Sequence, residues 1–322
     1  MNEIVGLLAA PFVGCLLISA LHCYMGLHVV RRGIIFVDLA LAQLAALGAT
    51  LALLLVPLFF GETLHEHHQE RAEYQQTQPG TSPLEAMVGH QAHKEEPAAG
   101  ARGWMIERTP YALSLFFTFV GAAILSLGRF RDERVPHEAI IGIIFVVSAA
   151  LAVLVLSRAP RGHEQVESML VGNILFVGWN DVLITFLLYL PLAVVHLLVR
   201  KPLSRISADV KAAESAGMAV RAWDFLFYAT FGLMVTQSVK MAGVLVVFSY
   251  LIIPAVCASM FSERFDRRLI LAWGIALAAS VIGLTFSALK DMPTGPALVA
   301  TFGVLLVLCA AIRPIVVRRQ CH

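Results

Sequence analysis

Nine apolar segments dominate this chain, at roughly 4–25, 34–60, 110–127, 139–156, 182–199, 223–239, 241–261, 269–289 and 296–312. Most approach the roughly 20 residues a helix needs to cross a hydrocarbon core of about 30 Å. Only helices or closed barrels satisfy their backbone in lipid, and runs this long and uninterrupted point to helices. With 58% hydrophobic and 14% charged residues over 322 positions, the chain reads as one all-α, polytopic membrane domain, 1–322, and not as a soluble protein. The sixth and seventh segments are separated only by Lys240 and its neighbours, so eight crossings also fit. The first 25 residues hold Glu3 and no Lys or Arg, which reads as a first span and not as a cleaved signal peptide.

With nine crossings, 16 of the 24 Lys and Arg fall on one side, including Arg31, Arg32, Arg200, Lys201, Arg205, Arg264 and Arg268. The positive-inside rule makes that side cytoplasmic, with the N-terminus outside and the C-terminus inside. Residues 61–108 then form an outer loop with eight Glu, four Lys or Arg and three Pro, too polar to fold alone and expected to be disordered. The loop carries His65, His67, His68, His90 and His93. Closely spaced imidazoles on an acidic segment suit capture of a transition metal, although a solvated linker has the same composition.

Some chemistries are excluded. Three His-Glu pairs, at 65, 137 and 163, all lack the second His of H-E-x-x-H, so no zinc-protease helix is present. No G-x-x-x-x-G-K-[ST] loop occurs, so ATP hydrolysis would have to come from another subunit. Cys15, Cys23, Cys257, Cys309 and Cys321 form no CxxC pair, which fits buried small hydrophobes. Nothing suggests a nucleic-acid partner.

Within "RRGIIFVDLALAQLAAL" (31–47), Asp38 lies six residues past Arg32, about 9 Å along if the segment is one helix. An acid in a span is costly and marks a pathway, or else caps a helix end against Arg31 or Arg32. Gln43 stands about 140° around the helix from Asp38. Between two spans on the basic side, "ADVKAAESAG" (208–217) reads as a short helix ended by Gly217, able to seat in a partner's groove or to serve as a connector.

"GLHVVRRGIIFVDLALAQLAALG", "ESMLVGNILFVGWNDVL", "ADVKAAESAGM", "SVKMAGVLVVFSYLIIPAVCA" and "LKDMPTGPALV" resemble, in order and spacing, the zinc/manganese/iron-type ABC importer permeases. The resemblance implies a membrane subunit that forms a homodimer, binds a cytoplasmic ABC ATPase and receives metal from an extracytoplasmic binding protein. It carries over a coupling segment at Ala208, Lys211, Ala212, Ala213 and Gly217. It also carries over motif residues Asn173, Asp181, Lys240, Asp291, Pro293 and Gly295 near the outer face, where contact with the binding protein and helix capping are the alternatives. The family writes a Gly-Asp in the second span with a His four residues later, and these resemble pore ligands. Here Asp38 matches the acid, Val37 replaces the glycine, and Ala42 replaces the His. The expected function is therefore ATP-driven import of a divalent metal, zinc favoured over manganese or iron, with Asp38 and Gln43 along the path. A permease for a metal chelate, an ion-gradient-driven transporter and a non-transporting sensor are the competing readings.

Overall fold

The computed structural model describes residues 2–52, 54–55, 101–128, 136–157, 172 and 174–320. The five loop histidines and Asn173 lie outside the described residues. Nine main helices, among the described residues, stand at the nine expected positions: α1 (Asn2–Arg32), α2 (Val37–Ala52), α3 (Ala101–Leu127), α4 (His137–Leu156), α5 (Trp179–Leu198), α8 (Val220–Ala242), α9 (Val244–Phe261), α10 (Phe265–Lys290) and α11 (Thr294–Gln320). Two short helices, α6 (Arg200–Ala208) and α7 (Val210–Ser215), separate α5 from α8, and a 3-10 turn at Ile174–Phe176 precedes α5. Seven of the nine are long and apolar enough to cross a membrane. The others are α2, which is short among the described residues, and α8, which carries Asp224, Gln237 and Lys240 among its apolar residues.

Two boundaries differ from the sequence reading. α1 continues through Arg31 and Arg32, so these residues end the first helix and do not lead the second. The chain then turns at Gly33–Phe36, and Asp38 falls in the first turn of α2, not 9 Å along it. Gly33 at φ 66° makes the break, because such a backbone leaves the helical path. α3 begins at Ala101, so the last eight residues of the 61–108 segment are helical.

Alternation of direction follows from which ends meet. Arg32 at the end of α1 pairs with Asp224 near the start of α8, while Met241 near the end of α8 packs beside Gly14 in the first half of α1. Leu251 of α9 then lies against Gly26. α8 thus runs antiparallel to α1, and α9 returns parallel to it, settling the sixth and seventh segments as two helices. Their junction is the single residue Gly243, at φ 80°. Gly172, also at positive φ, packs onto this junction: a Cβ there would stand 2.2 Å from the carbonyl of Ala242 and 2.4 Å from the nitrogen of Gly243. Both contacts are with backbone, so neither can yield cheaply. Gly172→Ala is expected to cost about 3 kcal/mol or more. Thermal unfolding in detergent checks this, with Gly274→Ala as the control because no atom lies within 4 Å of a Cβ there; equal midpoints would refute it.

The core has two halves. One gathers the second half of α1 with α2, α3, α5 and α8 around Phe227, Phe231 and Tyr228; the other gathers the first half of α1 with α9, α10 and α11 around Tyr250 and Phe302. Small residues set the closest approaches, as is usual where lipid supplies no hydrophobic drive between helices. A Cβ on Gly26 would meet the carbonyl oxygen of Leu251 at 2.0 Å, and one on Gly48 that of Leu113 at 2.4 Å.

Candidate translocation site

α2 starts where the chain re-enters the bundle after Arg32, with the amide of Phe36 donating to Glu138 Oε1 at 3.3 Å. Its first turn points Asp38 into the protomer, where the residue is 1% exposed. Neither carboxyl oxygen has a hydrogen-bond partner among the described residues. Arg32 is not its counter-ion, since that guanidinium is committed to Asp224 at 2.8 Å. Ala42, one turn on and equally buried, supplies only a methyl group. Gln43 is half-buried on another face of α2, so the structure does not bring Asp38 and Gln43 together.

Tyr189 of α5 lies within electrostatic reach of Asp38, and its hydroxyl hydrogen-bonds Ser238 of α8. The Tyr189 ring is 6.3 Å from that of His22, a buried α1 histidine whose Nε2 also lacks a partner among the described residues. Further along the same α5–α8 seam, Gln237 Nε2 donates to Thr185 Oγ1 at 3.0 Å. The seam leads to a small cavity of about 150 Å³ bounded by Asp181, Gln237 and Lys240. A line of polar groups therefore runs through an otherwise apolar interior, which is how a hydrated or polar solute is accommodated in a span.

At the basic end, a denser network ties α1 to α6 and α8. Arg32 Nε and His28 Nδ1 both bond Ser207 Oγ at 2.9 Å, and the Arg32 guanidinium lies 4.1 Å over the Phe227 ring. The side chains of Arg32 and Asp224 are each 1% exposed. Their pairing spans 192 residues and had no signature in the sequence, where Asp224 stands within the sixth apolar segment.

The expected coupling segment is resolved into α6, a cap and α7. Asp209 caps α7 by accepting from the amide of Ala212 at 3.0 Å, and Gly217 ends it, as predicted, at φ 77°. Ala208 belongs to α6. Ala213 faces inward, packing with Ile206 and Val220, so it is a support for this segment. Ala208, Lys211, Ala212 and Gly217 are exposed and form the outward face.

At the opposite end, Asp181 accepts from the amide of Gly178 at 3.2 Å and caps α5. Lys240 is exposed, with Nζ 5.9 Å from the Tyr111 ring centroid. Asp291, at φ 51°, turns the chain from α10 into α11, and Ser287 clamps that turn through Met292 O and Thr294 Oγ1 at 2.7 and 2.8 Å. Pro293 is exposed and Gly295 buried at the start of α11. No group of three or more His, Cys, Asp or Glu able to hold a metal ion occurs among the described residues.

Such a bundle, with alternating spans, a buried acid and an exposed helical segment between α5 and α8, defines an all-helical membrane permease. A profile of the ABC 3 transport family matches residues 90–313, and the chain belongs to that family of transporter membrane subunits. The chelated iron transport system membrane protein YfeC of Yersinia pestis is 30% identical over 190 residues, 59% of this chain and 64% of YfeC. The manganese transport system membrane protein MntB of Synechocystis is 26% identical over 200 residues, 62% of this chain and 65% of MntB. The chain spans just under two thirds of the length of these relatives. Among solved structures, PsaBC from Streptococcus pneumoniae in complex with Fab shares the fold, with a TM-score of 0.66 at 17% identity, covering 96% of this chain and 94% of that one.

Proposed function

We propose that this chain is the permease subunit of an ATP-driven importer of a divalent transition metal, with manganese or iron as the cargo. The observation that carries the reading is the family match, whose relatives are named for iron and manganese transport. The site supports the same choice. Asp38 offers oxygen and Ala42 offers no imidazole, a donor set that suits manganese better than zinc. Zinc is the second reading, favoured by the five histidines of residues 61–108.

Two copies of the chain would form the transmembrane unit, as the resemblance implies. The motor is a separate ABC ATPase, because the sequence has no phosphate loop of its own. It docks on the exposed face of α6–α7, at Ala208, Lys211, Ala212 and Gly217, and the Ser207–Arg32–Asp224 network passes the movement to α1 and α8. The basic end faces the cytoplasm by the positive-inside rule, which leaves Asp181, Lys240 and Asp291 at the outer surface for a metal-binding protein.

Elemental uptake of manganese, iron and zinc, in cells lacking their own importers and given this permease with its ATPase and binding protein, tests the proposal. ATP-dependent accumulation of manganese or iron is expected. Zinc alone would overturn the choice of metal. No free ion accumulated by an assembled complex would replace the free metal with a chelate.

A further inference from the structure

We propose that the cavity between α1, α5, α6 and α10 is a binding site for an anionic phospholipid with a hydroxyl-bearing head group, of the phosphatidylglycerol type. The cavity has a volume of about 760 Å³ and lies at the basic end of the bundle. Leu17, Leu21, Phe186, Leu190, Leu269 and Trp273 give it apolar walls suited to acyl chains. Arg200, Lys201 and Arg205, all exposed, line it against a single acid, Asp266. Basic pockets between spans on the cytoplasmic side are the usual seat of anionic lipid head groups.

The polar lining specifies the head group further. Ser207 donates its proton to Leu203 O at 2.7 Å, so its oxygen accepts from His28 Nδ1, and His28 Nε2 is left as a bare lone pair. Thr230 likewise donates to Leu226 O at 2.7 Å, so His196 Nε2 is the donor and Nδ1 is bare. These two nitrogens and the Tyr24 hydroxyl are buried and lack partners among the described residues, and all three side chains line the cavity. Tyr24 sits between the two imidazoles, 4.9 Å from the His28 ring and 5.8 Å from that of His196. A guest matched to this lining brings a negative charge for the cations and, once a rotation of the side chains turns the buried imidazole nitrogens toward it, hydrogen-bond donors for them. Phosphatidylglycerol supplies glycerol hydroxyls for the imidazoles and a phosphate for the cations. Phosphatidylcholine has neither hydroxyl donors nor net charge. A metal ion would suit the lone pairs, but it would face Arg200, Lys201, Arg205 and the nearby Arg32.

Native mass spectrometry of the assembled transporter, titrated with phosphatidylglycerol or phosphatidylcholine, tests the site without reading transport, so its outcome is independent of the cargo. Selective retention of phosphatidylglycerol is expected. Each cation near a lipid phosphate contributes about a factor of five in affinity, so the triple substitution Arg200→Gln, Lys201→Gln, Arg205→Gln should weaken binding about a hundredfold. Tyr24→Phe, which keeps the ring, should weaken it less. Equal retention of the two lipids by the unaltered protein overturns the proposal, as does a triple variant that binds phosphatidylglycerol undiminished. Retention of neither lipid by an assembled complex also overturns it.

Discussion

Asp38→Asn and Asp38→Ala are each expected to reduce metal uptake to background while the amount and thermal midpoint of folded protein stay unchanged or rise. The direction follows from the burial of the side chain without partners. Asp38 is 1% exposed, and neither oxygen is hydrogen-bonded among the described residues. A buried polar group in that state costs about 1–3 kcal/mol, so removing it relieves the fold. A structural acid would behave in the opposite way, because its loss would strand a partner. Uptake and unfolding measured on the same variants separate the two roles. Undiminished uptake would remove Asp38 from the path, and a fall in midpoint would show that the side chain has a partner in the assembled protein.

Among the described residues, Asp224→Ala should produce the largest loss of stability of any removal of an acidic side chain. The side chains of Arg32 and Asp224 are both 1% exposed and 2.8 Å apart, and the guanidinium lies against Phe227 and Ser207. Removing one member of a buried pair leaves the other charge in a low-dielectric interior, at a cost of about 3–5 kcal/mol. Arg32→Met together with Asp224→Leu should recover most of that stability, since apolar side chains of similar volume replace a desolvated pair at little cost. If the pair also passes movement from α6 to α1 and α8, the double variant will fold but import poorly. Thermal unfolding and uptake of the single and double variants decide this. A single variant within about 1 kcal/mol of the unaltered protein would place the pair among those worth little to the fold.

Some of the candidate site was legible in advance and some was not. Asp38 stood out because an acid inside an apolar run is rare enough to demand a reason, and Gly217 because a glycine after a small-residue helix is a local stop signal. The tight turn at Asp291 was visible only as a motif of unknown purpose, since capping and partner contact require the same exposed polar residues. Arg32 was read correctly as belonging to the basic end, but its burial was not foreseen. Its partners, Ser207 and Asp224, lie 175 and 192 positions away, and no short-range pattern marks such a contact.

The sequence by itself determined where the apolar spans would lie, and left only the separation of the sixth from the seventh to the structure. In lipid each helix satisfies its own backbone, so length and hydropathy, both local, decide whether a span exists. Tertiary structure alone decided which faces meet. Gly26 against Leu251, Gly48 against Leu113 and Gly172 against the Ala242–Gly243 junction bring backbones together across large sequence distances. With hydrocarbon on the outside as apolar as the core within, hydropathy cannot tell an inward face from a lipid-facing one. Close packing between small residues, and the partners found by buried polar groups, make that choice.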